Sequence, residues 1–189
     1  MKMLLQGLRL FLVLTLLTGV VYPAVVTVAA QLFFNHQANG SLVMKNGKLI
    51  GSELLAQKFQ GDGYFWPRPS AADFATVPAG ASNLGPTSAT LKESVQKRAE
   101  AFRKSNHLSP DAVLPSGVVF ASGSGLDPHI SPEAARLQAD RVATARKLNE
   151  EKRRQLSKLI EQYTEGPQYG IWGEPRVNVF RLNLALDSL

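Results

Sequence analysis

The sequence predicts an α+β protein: a single N-terminal transmembrane helix followed by one extracytoplasmic mixed α/β domain. Three observations predict it. Leu10 through Ala30 carry no charge, and crossing a hydrocarbon core of about 30 Å takes about 20 helical residues. The only positive charges before that segment are Lys2, Arg9 and the amino terminus, and the next charge after it is Lys45. Beyond it, segments with helical periodicity are interleaved with short apolar runs and turn signals.

The chain therefore divides into a short cytoplasmic N-terminus (1–9), a transmembrane helix (10–30) and an extracytoplasmic domain (31–189). A cleaved secretory signal is the rival reading, since Val28-Ala29-Ala30 offers small residues for cleavage. Its apolar region is typically only about 7–15 residues, so the length here favours an uncleaved anchor. Positive charge stays on the cytoplasmic side, which puts the amino terminus inside and everything after Gln31 outside. Phe33, Phe34 and His36 fall where an interfacial aromatic anchor belongs.

Within the anchor, Thr15, Thr18 and Tyr22 lie on one helical stripe beside Gly19, and Pro23 can bend the helix. Two readings stand for the stripe. Small polar groups in lipid pack helices together, or each threonine hydroxyl bonds back to its own helix.

After the anchor, Asn46-Gly47 supplies the tight turn of a hairpin over Ser41 to Ile50. Ser52 is placed to cap a short helix through Phe59, with Leu54, Leu55 and Phe59 at helical spacing. Gly61 to Pro86 is rich in Gly, Pro, Ser and Ala, yet carries Tyr64, Phe65, Trp66 and Phe74. That aromatic content predicts an ordered irregular loop folded onto a surface, not a linker. Ser88 begins a helix with Leu91, Val95, Ala99 and Phe102 on one side, ending near Asn106. Gly117 to Ala121 suits a buried strand. Ser131-Pro132 starts a helix running to about Leu148, and Asn149 to Tyr163 forms the next. The alternation of Val177 to Leu184 predicts a strand with one buried face.

Composition narrows the function. With no Cys there is no disulfide framework, no thiolate nucleophile and no thiolate metal site. Lys2 and Arg9 account for two units of the +6 net charge. The cations between Lys147 and Lys158 alternate with Glu150 and Glu151, which describes a solvated helix face and not a nucleic-acid surface. Gly47-Lys48 has Leu42 where a phosphate loop needs its first glycine and Leu49 after the lysine, so that loop is excluded. Gly-x-Ser-x-Gly does not occur. The 3 histidines, His36, His107 and His129, lie too far apart in sequence for a paired zinc motif. Asp127 and His129 resemble an acid–base pair, but Asp127-Pro128 is also what a turn requires, and residues two apart in a turn are expected to face different directions.

The most singular string runs from Ser122 to Ala135, SGSGLDPHISPEAA. It predicts a corner in which glycines turn the chain, Ser131-Pro132 opens a helix, and Glu133 sits well against the helix dipole. Its amides either bind an anion or a partner's carboxylate, or serve only to reverse the chain.

At this string the sequence resembles the C subunit family of the potassium-transporting Kdp P-type ATPases. The likeness covers nearly the whole chain. It includes Tyr22-Pro23, the strings Gln37 to Leu42 and Gly51-Ser52 through Gln57-Lys58-Phe59, and Tyr64-Phe65-Trp66 with Arg68 to Ala71. Ser82 to Thr87, Ser124 to Ala135 and Val177 to Asp187 complete it. Pro67, and Gly80-Ala81-Ser82 in place of Gly-Gly-Ser, are local departures.

The resemblance implies a subunit without its own catalytic centre or cofactor, with ATP and potassium handled by the complex. The implied partners are a channel-like potassium-binding subunit, a P-type ATP-hydrolysing subunit and a small single-helix subunit, in the bacterial inner membrane. It also implies a catalytic chaperone that raises the pump subunit's affinity for ATP. The predicted topology keeps the domain away from cytoplasmic ATP, so an indirect effect is expected, with the domain capping the outer mouth of the channel-like subunit. Thr15, Thr18, Tyr22, Trp66, Arg68, Asn83, Asp127 and His129 are the candidate partner-interface residues. The alternative class is a membrane-anchored extracytoplasmic enzyme acting on a cell-envelope substrate through Asp127 or His129.

Overall fold

Lys2 to Phe33 form one continuous apolar helical segment with a mean hydropathy of 2.2 in its most apolar window and none of that window buried. In the computed structural model, which describes residues 1–189, it comprises α1 (Lys2–Leu16), a π-helical turn (Leu17–Val21) and α2 (Tyr22–Phe33). The π turn sits where Pro23 offers no N–H to the carbonyl of Gly19, and a widened turn accommodates the missing bond. At about 1.5 Å per residue the segment is longer than a bilayer core requires.

The chain falls into two units, Met1–Ile50 and Gly51–Leu189. The first adds a single turn, α3 (Asn35–Ala38), and the hairpin of β1 (Leu42–Lys45) with β2 (Lys48–Ser52), the last two residues of which belong to the second unit. Asn46 and Gly47 have φ of 54° and 74°, the conformation the Asn-Gly turn was expected to supply.

The second unit holds the core. Its helices are α4 (Ala89–Ser105), α5 (Ser116–Val119), α6 (Pro132–Ala145), α7 (Glu150–Gln162) and α8 (Val179–Leu186). Its strands are β3 (His129–Ile130), β4 (Thr164–Glu165) and β5 (Arg176–Asn178), antiparallel in the order β3-β5-β4. Val177 of the central strand stands opposite both Ile130 and Thr164. Phe65, Val142, Leu156, Ile160, Val177, Leu182 and Leu186 are among the buried side chains that join loop, sheet and helices into one core.

Caps explain why the long helices start where they do. The side chains of Ser88, Ser131 and Asn149 accept from Leu91 N, Ala134 N and Lys152 N; the cap at Ser131 and the helix starts at Ser88 and Asn149 are those the sequence led one to expect. Gly61 to Pro86 is irregular but ordered, with Phe65 fully buried. On α7 only Leu156 and Ile160 are buried, so its charged residues form a solvated face.

Three expectations fail. Ser52 to Phe59 is a turn and an extended stretch instead of a helix. The Ser52 hydroxyl accepts from Leu54 N at 3.1 Å, and Ala56 N donates to the distant Leu126 O at 2.9 Å, removing a bond that a helix would need. Gly117 to Ala121 is not a strand: Pro115 opens a single helical turn that buries Val118 and Val119 and leaves Phe120 exposed. A four-residue apolar run does not distinguish the two. The terminal strand stops at Asn178, whose side chain accepts from Arg181 N at 3.0 Å and so caps α8. Val179, Leu182 and Leu186 then share a buried helical face.

Candidate functional site: a charged cleft beside the aromatic loop

Trp66 and Arg68 lie on an irregular segment that has no strand partner, so its buried backbone groups need other acceptors and donors. Helices α6 and α8 supply them. Asn183 accepts from Phe65 N at 2.8 Å and donates to Phe65 O at 2.9 Å. Gln138 accepts from Trp66 N at 2.7 Å and donates to Trp66 O at 3.2 Å. Each amide thus pairs with one residue as a neighbouring strand would.

Arg141 completes the clamp. It is 2% exposed and donates to Asp62 O, Tyr64 O, Asn106 Oδ1 and Gln138 Oε1. Its guanidinium carbon lies 3.7 Å from the centroid of the Trp66 ring. Burial brings the guanidinium down to about 10, partly offset by Asp62, so it stays charged at neutral pH. Arg146 donates to Gly63 O at 2.7 Å and lies over the Tyr64 ring.

The clamp delivers Arg68 to the corner. Arg68 Nη1 donates to Asp127 Oδ2 at 3.0 Å, and Asp127 Oδ1 accepts from His129 N at 3.0 Å. His129 Nδ1 is 3.5 Å from the same Oδ1. The expectation that Asp127 and His129 face apart is therefore corrected: the backbone bond folds a tight Asx turn that carries the imidazole edge back to the carboxylate. Arg68 Nε is buried without a hydrogen-bond partner.

Burial works to raise the Asp127 carboxyl, but the His129 hydrogen bonds and the Arg68 ion pair outweigh it, leaving the group below its ordinary 3.8. A general base is most effective with its pKa near the working pH. This carboxylate is instead a fixed anion in a structural pair.

Arg68, Asp127 and His129 line a cleft of about 570 Å³ with Ser131, Glu133, Glu174 and Arg176. Glu133 comes from the first turn of α6, while the antiparallel β3–β5 pairing, with His129 opposite Asn178 and Ile130 opposite Val177, brings Arg176 and the preceding Glu174 to the same cleft. Sequence reading missed Glu174 and Arg176, because only that long-range pairing places them there. No group of three His, Asp or Glu side chains is placed to hold a metal ion.

The remaining candidates lie elsewhere. Asn83 is an exposed residue of the irregular segment, with φ 53°. Trp66 is half-buried, and its Nε1 donates to Gly61 O at 3.2 Å. Thr15, Thr18 and Tyr22 are exposed on the apolar helical segment of the first unit, and Thr18 Oγ1 donates back to Leu14 O at 2.7 Å. The corner is largely self-satisfied. Ser122 N donates to Pro69 O, Gly125 N to Ser122 O and Leu126 N to Ser124 Oγ, which supports the chain-reversal reading over an anion cradle.

A helix long and apolar enough to span a membrane precedes an α+β unit whose cleft holds Asp127 between Arg68 and His129. The KdpC family model, described as K+-transporting ATPase, c chain, matches residues 4–188. Potassium-transporting ATPase KdpC subunits are similar to this chain along nearly their whole lengths. That of Methylococcus capsulatus is 51% identical over 97% of this chain and 96% of its own. That of Nitratidesulfovibrio vulgaris is 50% identical over 97% and 93%, and that of Mycobacterium bovis 47% identical over 100% and 99%. The chain belongs to the KdpC family.

Proposed function

We propose that this chain is the non-catalytic accessory subunit of an ATP-driven potassium uptake complex, where it stabilises assembly and raises the pump subunit's affinity for ATP without contacting nucleotide. The observation that carries the reading is the family match from residue 4 to residue 188. The state of Asp127 supports the non-catalytic part, because this carboxylate of the cleft is tied to Arg68 and held below its ordinary range.

Lys2 and Arg9 before the apolar segment support a cytoplasmic amino terminus, a span over 10–30 and an extracytoplasmic domain over 31–189 in the inner membrane. ATP is then on the opposite side from the domain. Its effect is a coupling free energy transmitted through the assembled subunits: the domain binds one conformation of the complex better and so favours the state that binds ATP tightly. The partners proposed are a channel-like potassium-binding subunit, a P-type ATP-hydrolysing subunit and a small single-helix subunit.

The test is to tag the carboxyl terminus, extract membranes in mild detergent and identify what co-purifies. Recovery of a channel-like and a P-type subunit with potassium-stimulated ATPase activity is expected. Recovery of this chain alone, under conditions that preserve other membrane complexes, contradicts the reading.

A further inference from the structure

The chain has 2 tryptophans, and the fold uses them in opposite ways. Trp66 lies under Arg141 inside the clamp, whereas Trp172 is 69% exposed at the tip of the segment joining β4 to β5. Tyr169 and Ile171 beside it are 85% and 79% exposed. From Gly166 to Gly173 the segment carries no charge, so these apolar side chains form one uncharged projection.

The projection is built, not loose. Gln168 N donates to Trp172 O at 2.8 Å and Trp172 N to Gln168 O at 3.0 Å, while Gly170 N donates to Pro167 O at 2.9 Å. Tyr169 and Gly170 take the positive φ values, 54° and 75°, that reverse the chain. At its base, Glu165 pairs with Arg176 at 3.1 Å. A preorganised aromatic anchor loses little conformational freedom on binding, and Trp and Tyr are the residues on which interface energy concentrates.

We propose that Tyr169, Ile171 and Trp172 form the anchor by which this domain docks on another protein subunit of the pump, with Trp172 entering an apolar pocket edged by a basic group that meets Glu174. Charge selects this occupant. Binding to an anionic lipid surface draws on clusters of free Lys and Arg, whereas the cations at the base of the tip, Arg176 and Arg181, are already paired with Glu165, and Glu174 adds a negative charge two residues from the indole. Glu174 lines both the 570 Å³ cleft and a neighbouring recess of about 510 Å³ beside Trp172. A partner gripping the indole therefore has adjoining hollows into which a cationic side chain can reach. The inference rests on the accessory-subunit reading, and the experiment separates the two.

The full-length chain is expressed with the other pump subunits, carrying a photoreactive phenylalanine analogue at position 171. After irradiation, the tagged complex is purified and assayed for potassium-stimulated ATPase. The expected result is an adduct with another subunit in an active complex. In parallel, Trp172→Ala lowers recovery of the complex at least about 10-fold with an unchanged melting temperature of the chain itself, and Trp172→Phe restores most of it. An assembled, active complex in which position 171 links only to lipid, to a second copy of this chain or to nothing overturns the docking proposal and leaves the accessory reading intact. Failure of the unsubstituted chain to recover any partner overturns the accessory reading, and the docking proposal with it.

Discussion

The Arg141 guanidinium lies 3.7 Å from the centroid of the Trp66 ring, and the same cation donates to the carbonyls of Asp62 and Tyr64 on that loop. A charged residue of α6 thus does for an irregular segment what a partner strand does for a sheet edge, and the position of Arg68 in the cleft depends on it. Replacing Arg141 by Met leaves those carbonyls and the Asn106 side-chain oxygen without this donor and removes one of the two donors to Gln138 Oε1. We expect a loss of about 3 kcal/mol, or roughly 10 °C in melting temperature for a chain of this size, read by thermal unfolding of the full chain in detergent. Lys at this position does not restore stability, since it lacks the planar fork.

Asn183 makes both backbone bonds of the fully buried Phe65. Asn183→Ala leaves a donor and an acceptor unsatisfied, at a cost of about 3 kcal/mol. The loop from Gly61 to Pro86 should then be cut first in limited proteolysis, before α6 or α7, because its own backbone bonds are few. Uniform cleavage across the domain would show that Asn183 holds the whole fold and not the loop.

The Asp127 carboxyl titrates below its ordinary 3.8 in the folded chain. A depressed carboxylate contributes stability that is complete above the unfolded value and is lost as pH falls through the folded one. Melting temperature measured from about pH 5 down to pH 3 should therefore fall more steeply for the native chain than for Asp127→Asn, the two curves converging at the acid end. Parallel curves would mean that the Arg68 and His129 contacts do not favour the charged carboxylate.

Gly125 has φ 71°, and a Cβ there would sit 2.9 Å from the Gly80 carbonyl oxygen. Gly123, two residues away, would meet nothing within 4 Å. Gly125→Ala should cost at least about 2 kcal/mol, from backbone strain plus the clash. Gly123→Ala should stay within about 0.5 kcal/mol, and chemical denaturation of the two variants distinguishes the sites.

The parts of the fold legible in the sequence are those governed by local chemistry. Ser88, Ser131 and Asn149 announce their helices because a cap is a local hydrogen bond, and Asn46-Gly47 announces its hairpin for the same reason. The C-terminal segment misled because residues 177–184 satisfy period 2 as well as period 3.6. The Asn178 cap, a signal of the kind correctly read elsewhere, decides between them. Asp127 and His129 stand close in sequence and read as a possible pair, but that Arg68, 59 residues away, meets the same carboxylate is something no local pattern reports. Glu174, Arg176 and the Tyr169 to Trp172 tip were invisible for a different reason. An aromatic in a loop reads alike whether the fold buries it, as with Trp66, or leaves it outside, as with Trp172.

The most direct test of the proposed function is the apparent KM for ATP of the potassium-stimulated hydrolysis, compared between complexes purified without this chain and after the full-length chain is added back. The account predicts a lower KM on add-back, with no nucleotide binding by the purified chain alone in calorimetry. An unchanged KM, or a saturable ATP signal from the chain by itself, would contradict it.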